Sequence, residues 1–118
     1  MRVSLERFDE LAFDEANRVL AALPAELRVA AETVVLDTAD RAEGERALLG
    51  LYYGVPLVER HVDSTLLQPD RITLYRETIQ AMARTESELR RQIRRTLIHE
   101  LGHFFGFDEV ELHRRGWG

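Results

Sequence analysis

Apolar residues recur at helical spacing near the start of the chain. Over residues 4–22, SLERFDELAFDEANRVLAA, they fall every three or four positions and predict one amphipathic helix. The stripe consists of Leu5, Phe8, Leu11, Ala12, Ala16, Val19 and Leu20. Ser4 suits the N-cap of this helix, and Pro24 ends it because the residue before a proline avoids helical backbone. A second, short helix is predicted over residues 25–30.

The strongest helical pattern lies near the end of the chain, over residues 86–105. A capping box at residues 85–88 marks its start, and Gly106 suits the left-handed conformation that ends many helices. The predicted core face carries Leu89, Ile93, Leu97, Leu101 and Phe104. The spacing Asp-x-x-Glu at residues 108–111 then predicts the cap of a short final helix.

Strand patterns occupy the middle of the chain. Residues 32–37, ETVVLD, are rich in β-branched side chains, and residues 71–79, RITLYRETI, alternate between two faces, so a strand is predicted for each. The stretch 47–61 contains two glycines and a proline, which predict irregular backbone with a strand at 57–61. This order of elements predicts an α+β fold, and no linker interrupts it, so we expect a single domain over residues 1–118.

Composition removes several classes of function. The chain has no cysteine, which excludes disulfides, thiolate zinc clusters and a cysteine nucleophile. All 16 basic residues are arginine, so a lysine nucleophile is excluded too. The net charge of −5 argues against a nucleic-acid partner. The charged N-terminal segment is unlike a signal peptide, and no run reaches the roughly 18 apolar residues of a membrane helix, so we expect a cytoplasmic protein without a membrane partner.

The candidate chemistry lies in the stretch 94–115, RRTLIHELGHFFGFDEVELHRR. A helix turns about 100° per residue, so His99 and His103 lie about 40° apart and can each direct one nitrogen at a shared zinc ion. Glu100 lies about 100° further round than His99, which suits a base that takes a proton from a water on the metal. The alternative is two surface histidines and a salt-bridged glutamate on an amphipathic helix.

Zinc requires at least one more protein ligand beyond the two histidines. Gly106 allows the chain to reverse after the helix, so Asp108 and Glu109 can approach the metal from the following segment. Glu111 and His113 are further candidates in the same segment. Spacing alone does not choose among these four residues.

The sequence His99-Glu100-x-x-His103-x-x-Gly106, followed by an acid, resembles the zincin metallopeptidase signature. More narrowly, the chain resembles the small bacterial zincin-like metallopeptidases, which are minimal zincins. The likeness covers residues 48–116 and includes Leu51-Tyr52-x-Gly54-x-Pro56-Leu57, Glu59-Arg60, Pro69-Asp70-Arg71-Ile72-Thr73, Ile98-His99-Glu100, Phe105-Gly106 and Leu112-His113. The resemblance implies a minimal zincin fold, with a small sheet packed on the N-terminal helix and on the helix that carries the motif.

The resemblance also implies the roles of the site residues. His99 and His103 would bind Zn²⁺, and Glu100 would be the catalytic base. The family usually has aspartate as third ligand at the position of Glu109, whereas this chain has glutamate there and Asp108 one residue earlier. We therefore predict Glu109 as the third ligand, with Asp108 as the helix cap and the alternative ligand.

Aromatic residues outside the motif helix supply candidate oxyanion stabilisers. A Tyr or His often has that role in zincins, and Tyr52 is the first candidate here, ahead of Tyr53, Tyr75 and His61. The alternative for each is a packed or half-exposed ring.

Four arginines precede His99 on its helix: Arg90, Arg91, Arg94 and Arg95. One interpretation is a solvated face paired with Glu86 and Glu88. The other is that Arg95, one turn before His99, holds a substrate carboxylate.

Taken together, the motif and the resemblance predict a zinc-dependent metallopeptidase whose partner is a peptide or small protein. The strand predicted at 71–79 is a candidate edge for pairing with an extended peptide. The first alternative is a zincin-fold module that binds metal or peptide with weak activity or none, and the second is a metal-dependent hydrolase of non-peptide amides. The oligomeric state is left open.

Overall fold

The computed structural model describes residues 1–44, 46–59 and 69–117. Within them the fold is α+β, as predicted. The helices are α1 (Leu5–Ala22), α2 (Ala25–Ala31), α3 (Arg76–Ala81), α4 (Glu86–Phe105) and α5 (Glu109–Arg114). The strands are β1 (Val35–Ala39), β2 (Gly50–Tyr53) and β3 (Arg71–Tyr75), and a 3₁₀ turn spans Leu57–Glu59. In the described part of the chain, no helix has the length and apolarity needed to cross a membrane.

Helix α1 follows its predicted pattern closely. The Ser4 hydroxyl accepts a hydrogen bond from the Arg7 N–H at 3.0 Å, so the predicted cap is confirmed. The predicted stripe is buried at Phe8, Leu11, Ala12, Ala16 and Val19. Leu5 at the first turn is exposed instead, and Leu20 is partly buried against the core. Helix α2 ends one residue later than predicted.

Helix α4 begins and ends where the sequence predicts. The Thr85 hydroxyl accepts from the Glu88 N–H at 3.1 Å, and the Glu88 carboxylate accepts from the Arg84 N–H at 2.7 Å, which completes the capping box. Gly106 has φ +84° and ends the helix in the left-handed region. All five residues of the predicted core face are buried.

The sheet has three strands in the order β1-β3-β2. Strand β1 runs parallel to β3 and β2 runs antiparallel to it. Strand β3 is therefore central, and the prediction that it offers a free edge is wrong. The inner face of the sheet packs on α1 and α4, around a core that includes Phe8, Ile72, Leu74, Ile93 and Phe104.

The predicted strands differ from the observed ones for reasons of pairing. The first strand lies at residues 35–39 rather than 32–37, because the N–H groups of residues 32–34 bond back to α2. The strand predicted at 71–79 ends at Tyr75, where its pairing with β1 also ends, and the following residues form α3.

Strand β2 lies in the stretch for which the sequence predicts irregular backbone. The strand predicted at 57–61 is wrong for residues 57–59, which form the 3₁₀ turn closed by the Glu59 N–H on the Pro56 carbonyl at 2.9 Å. Residues 60 and 61 lie outside the described part of the chain.

Gly50 lets β2 approach α4 closely. A Cβ atom at this position would lie 2.8 Å from the Thr96 Cγ2 atom of α4, and 3.2 Å from the Thr73 carbonyl oxygen. Real Cβ atoms do not tolerate the first distance, so a side chain here would push the strand away from the helix. This contact brings the edge strand against the helix that carries the histidine motif.

Candidate metal centre

His99 and His103 face each other across one turn of α4. Their Nε2 atoms are 3.2 Å apart, and their ring planes cross at 84°. Two nitrogens on one tetrahedral zinc, with Zn–N of about 2.0–2.1 Å, lie about 3.3–3.4 Å apart. The same separation also suits an N–H···N hydrogen bond between the rings. The pair therefore fits a shared zinc ion, with little movement of either ring.

Glu100 completes the group around the two imidazoles. One carboxylate oxygen of Glu100 and one nitrogen of each histidine all lie within 4.8 Å of one another. All three side chains are half-buried. Among residues 1–44, 46–59 and 69–117, this is the single group of three or more histidine, aspartate or glutamate side chains that meets this condition. Two imidazoles with a carboxylate beside them are the groups that a zinc site with a general base requires.

The edge strand holds Glu100 in place. The backbone N–H of Tyr52 in β2 donates a hydrogen bond to Oε1 of Glu100 at 2.9 Å. This bond fixes the orientation of the carboxylate and leaves Oε2 as the oxygen available to accept a proton. A backbone amide has no side chain that a sequence motif could reveal, so the sequence does not predict this role of the Tyr52 N–H.

The side chain of Tyr52 has a separate partner. Its hydroxyl lies 3.1 Å from Oδ1 of the buried Asp70, which also accepts from the Val55 N–H at 3.2 Å. The ring packs edge-to-face on Phe104. These contacts anchor the segment after β2, and the oxyanion role of Tyr52 stays a prediction.

Two of the other aromatic candidates are placed on the sheet. Tyr53 is exposed, and Tyr75 is buried, which raises the pKa of its hydroxyl. His61 lies outside the described residues.

The predicted cap and the predicted third ligand are adjacent at the start of α5. The Asp108 carboxylate accepts from the Glu111 N–H at 2.8 Å, so its role as cap is confirmed. Glu109 is the first residue of α5, and its side chain is exposed. It does not belong to the group that meets within 4.8 Å, and it has no side-chain partner in the described part of the chain. Its assignment as third ligand stays a prediction.

The remaining candidates on α5 differ in availability. Both oxygens of the Glu111 carboxylate are bound, one by Arg114 at 2.8 Å and the other by Arg115 at 2.7 Å. These hydrogen bonds, that of Arg114 first, hold the pKa of Glu111 below its usual value. Glu111 is therefore engaged as an ion-pair partner, whereas His113 is exposed.

Two of the four arginines before His99 pair with α1 rather than with acids on their own helix. Arg90 binds Asp14 and lies 3.5 Å from the buried Glu15. Arg94 donates to the same Glu15 at 3.1 Å. The predicted pairing of these arginines with Glu86 and Glu88 is wrong, because the first binds Arg7 of α1 and the second closes the capping box.

A cavity of about 260 Å³ opens beside His99 and Glu100. We call it the α4 groove, and it is lined by Leu49, Met82, Gln92, Arg95, Thr96, His99, Glu100 and Trp117. Two contacts hold Trp117 at this cavity. Its backbone N–H donates a hydrogen bond to the Leu112 carbonyl at 2.7 Å, and its ring packs on Phe105 and Phe107. The sequence analysis missed Trp117, since one tryptophan near a terminus carries no pattern.

Comparison with known sequences agrees with this geometry. No curated protein matches the chain. The sequence model of the zincin-like metallopeptidase family matches residues 25–117. That range covers most of the chain and includes the sheet, the motif helix and α5. The chain therefore belongs to the zincin-like metallopeptidase family.

Proposed function

We propose that the protein is a zinc-dependent metallopeptidase that hydrolyses a peptide bond. The observation that carries this proposal is the separation of 3.2 Å between the Nε2 atoms of His99 and His103, with the carboxylate of Glu100 held beside them. His99 and His103 would hold the zinc ion, with Glu109 as the proposed third ligand. The family match favours the same chemistry.

A bound zinc ion would supply a Lewis acid that polarises a carbonyl and lowers the pKa of water. Glu100 would accept the proton of the attacking water on Oε2, because the Tyr52 amide already occupies Oε1. The same carboxylate would then pass the proton to the leaving amine. Half-burial of Glu100 limits its access to bulk water, which favours a direct transfer over loss of the proton to solvent.

The substrate would lie in the α4 groove, with its scissile bond at His99 and Glu100. Within the described residues, strand β2 pairs with β3 alone, so it replaces β3 as the proposed strand along which an extended peptide runs. The proposed partner is a peptide or small protein, and the proposed location is the cytoplasm.

A peptide library tests the proposal. The zinc-loaded protein should cleave at least one class of peptide, and Glu100→Gln should cleave it about a hundredfold to ten-thousandfold more slowly. The amide cannot accept a proton as a carboxylate does, yet its oxygen still accepts from the Tyr52 N–H, so the zinc content should be unchanged.

The control outcomes separate the alternatives. Equal cleavage by the wild-type protein and Glu100→Gln would mean that the activity belongs to a contaminant. A zinc-loaded protein that cleaves no peptide would favour the alternative of a zincin-fold module that binds metal or peptide. Cleavage of non-peptide amides alone would favour the second alternative, a metal-dependent hydrolase of non-peptide amides.

A further inference from the structure

The arginines on α4 divide into paired and unpaired side chains. Arg90 and Arg94 bind acids of α1. In the part of the chain that the structure describes, the guanidinium of Arg95 has no hydrogen-bond or ion-pair partner. Arg95 also lines the α4 groove, whereas the equally exposed Arg91 does not. Arg95 therefore adds an unpaired positive charge to the lining of the groove, beside His99 and Glu100.

Arg95 lies close enough to His99 and His103 to contact a peptide that is bound at these two histidines. It precedes His99 by four residues, which is one turn and about 6 Å along the helix axis. Extended peptide advances about 3.3 Å per residue. For a peptide that runs along α4 through the groove, the residue beside Arg95 would therefore lie about two residues from the scissile bond.

The walls of the groove strengthen a charged contact at Arg95. Leu49, Met82 and Trp117 present mainly apolar surface to it. An ion pair is stronger where apolar atoms displace water, and a guanidinium binds a carboxylate with two parallel hydrogen bonds. Gln92, one turn further from His99, adds an amide that can donate to the same oxygens.

We propose that Arg95 binds a carboxylate of the substrate and thereby selects peptides with a negative charge about two residues from the cleaved bond. The inference rests on the proposed function, because it assigns the substrate of the same site. The carboxylate has two sources in a peptide, an acidic side chain or a free C-terminus. Either source presents the same planar group to the guanidinium.

Binding to short peptides tests this proposal without catalysis. All measurements use the full chain with Glu100→Gln, so that no peptide is cleaved during a titration. The first pair of probes is acetyl-Ala-Ala-Ala with a free C-terminus and the same peptide as its amide. The second pair is acetyl-Ala-Glu-Ala amide and acetyl-Ala-Gln-Ala amide. Calorimetry gives each Kd, and the indole N–H signal of Trp117, the single tryptophan, reports occupancy of the groove in NMR spectra.

The expected result is that at least one charged peptide binds about tenfold tighter than its neutral match and shifts the Trp117 signal. The pair that shows the difference identifies the source of the carboxylate. Arg95→Ala should abolish the difference. Arg91→Ala, which removes the same charge from the same helix outside the groove, should retain it.

Three results would overturn the proposal. The first is equal binding of charged and neutral peptides in both pairs. The second is a preference that Arg95→Ala retains, which would place the carboxylate on a metal ion or elsewhere. The third is a preference that leaves the Trp117 signal unchanged. Failure of the proposed function itself looks different, because the binding preference would remain while the wild-type protein cleaved no peptide.

Discussion

The two halves of α4 differ in composition and in organisation, since residues 86–94 carry five charged side chains and residues 95–105 carry two. In the first half, most of the charged side chains have partners: Glu88 closes the capping box, and Arg90 and Arg94 bind acids of α1. In the second half, Arg95, Thr96, His99 and Glu100 line the groove. The imidazole nitrogens there face each other, and Glu100 has one oxygen bound by a backbone amide.

The polar side chains of the first half therefore contribute to folding stability, whereas those of the second half are available for binding. A polar group that is buried during folding must be paired, because an unpaired one costs free energy. The first half satisfies this rule with groups of the same chain. The second half leaves donors and acceptors positioned but not fully used, which is the state in which they can bind a metal or a substrate.

The largest effect should follow from loss of either imidazole. His99→Ala or His103→Ala should change the zinc content from about one ion per chain to almost none, and weaken zinc binding at least about a hundredfold. His113→Ala is the matched control, because Glu109 rather than His113 is the proposed third ligand, and this variant should bind zinc normally. Mass spectrometry of metal content and competition with a chelator measure both quantities. Full occupancy in the His99/His103 double variant would exclude the site.

The next effect compares two neighbouring arginines. Arg94→Ala leaves Oε2 of Glu15 without its hydrogen-bond donor, and Glu15 is buried, so the free energy of unfolding should fall by about 2 kcal/mol. Arg95→Ala should change it by less than about 0.5 kcal/mol, because Arg95 is exposed and lacks a partner in the described residues. Urea titrations give both values. Equal destabilisation by the two variants would contradict the division of α4 into two halves.

The smallest effect separates the two acids at the start of α5. Glu109→Ala should weaken zinc binding by about tenfold or more, if its free carboxylate is the third ligand. Asp108→Ala should mainly lower the free energy of unfolding by about 1 kcal/mol, because it removes the cap on the Glu111 N–H. A chelator titration and a urea titration on both variants decide the assignment. If Asp108→Ala releases the metal and Glu109→Ala retains it, the two roles are exchanged.

Local signals in the sequence predicted the helices well. Ser4, Thr85 and Asp108 each cap the helix that the sequence assigns to them, and Gly106 ends α4. Caps act within four residues, so the sequence contains both partners of each interaction. The three motif residues are brought together for the same reason, since one helix carries them all.

Interactions between distant segments could not be predicted in this way. The end of β3 depends on the end of β1, more than 30 residues earlier in the chain. Position 50 requires a glycine because Thr96 of α4 lies close to it, and Arg94 donates its hydrogen bond to Glu15 of α1. The alternation of residues 71–79 gave no information on which of these residues have strand partners, and the amide of Tyr52 carries no side-chain signal at all.

The contact between Gly102 and Leu112 links the histidine motif to the C-terminal helix. Gly102 is one of the two unspecified positions of the motif, and a Cβ atom there would lie 2.1 Å from the Cδ2 atom of Leu112. Leu112 is fully buried and has no room to retreat. A side chain at position 102 and the leucine at position 112 would therefore occupy the same space. A side chain at position 102 would require Leu112 to move or to be replaced by a smaller residue, so a motif position that looks free to vary is constrained by a residue ten positions further along the chain.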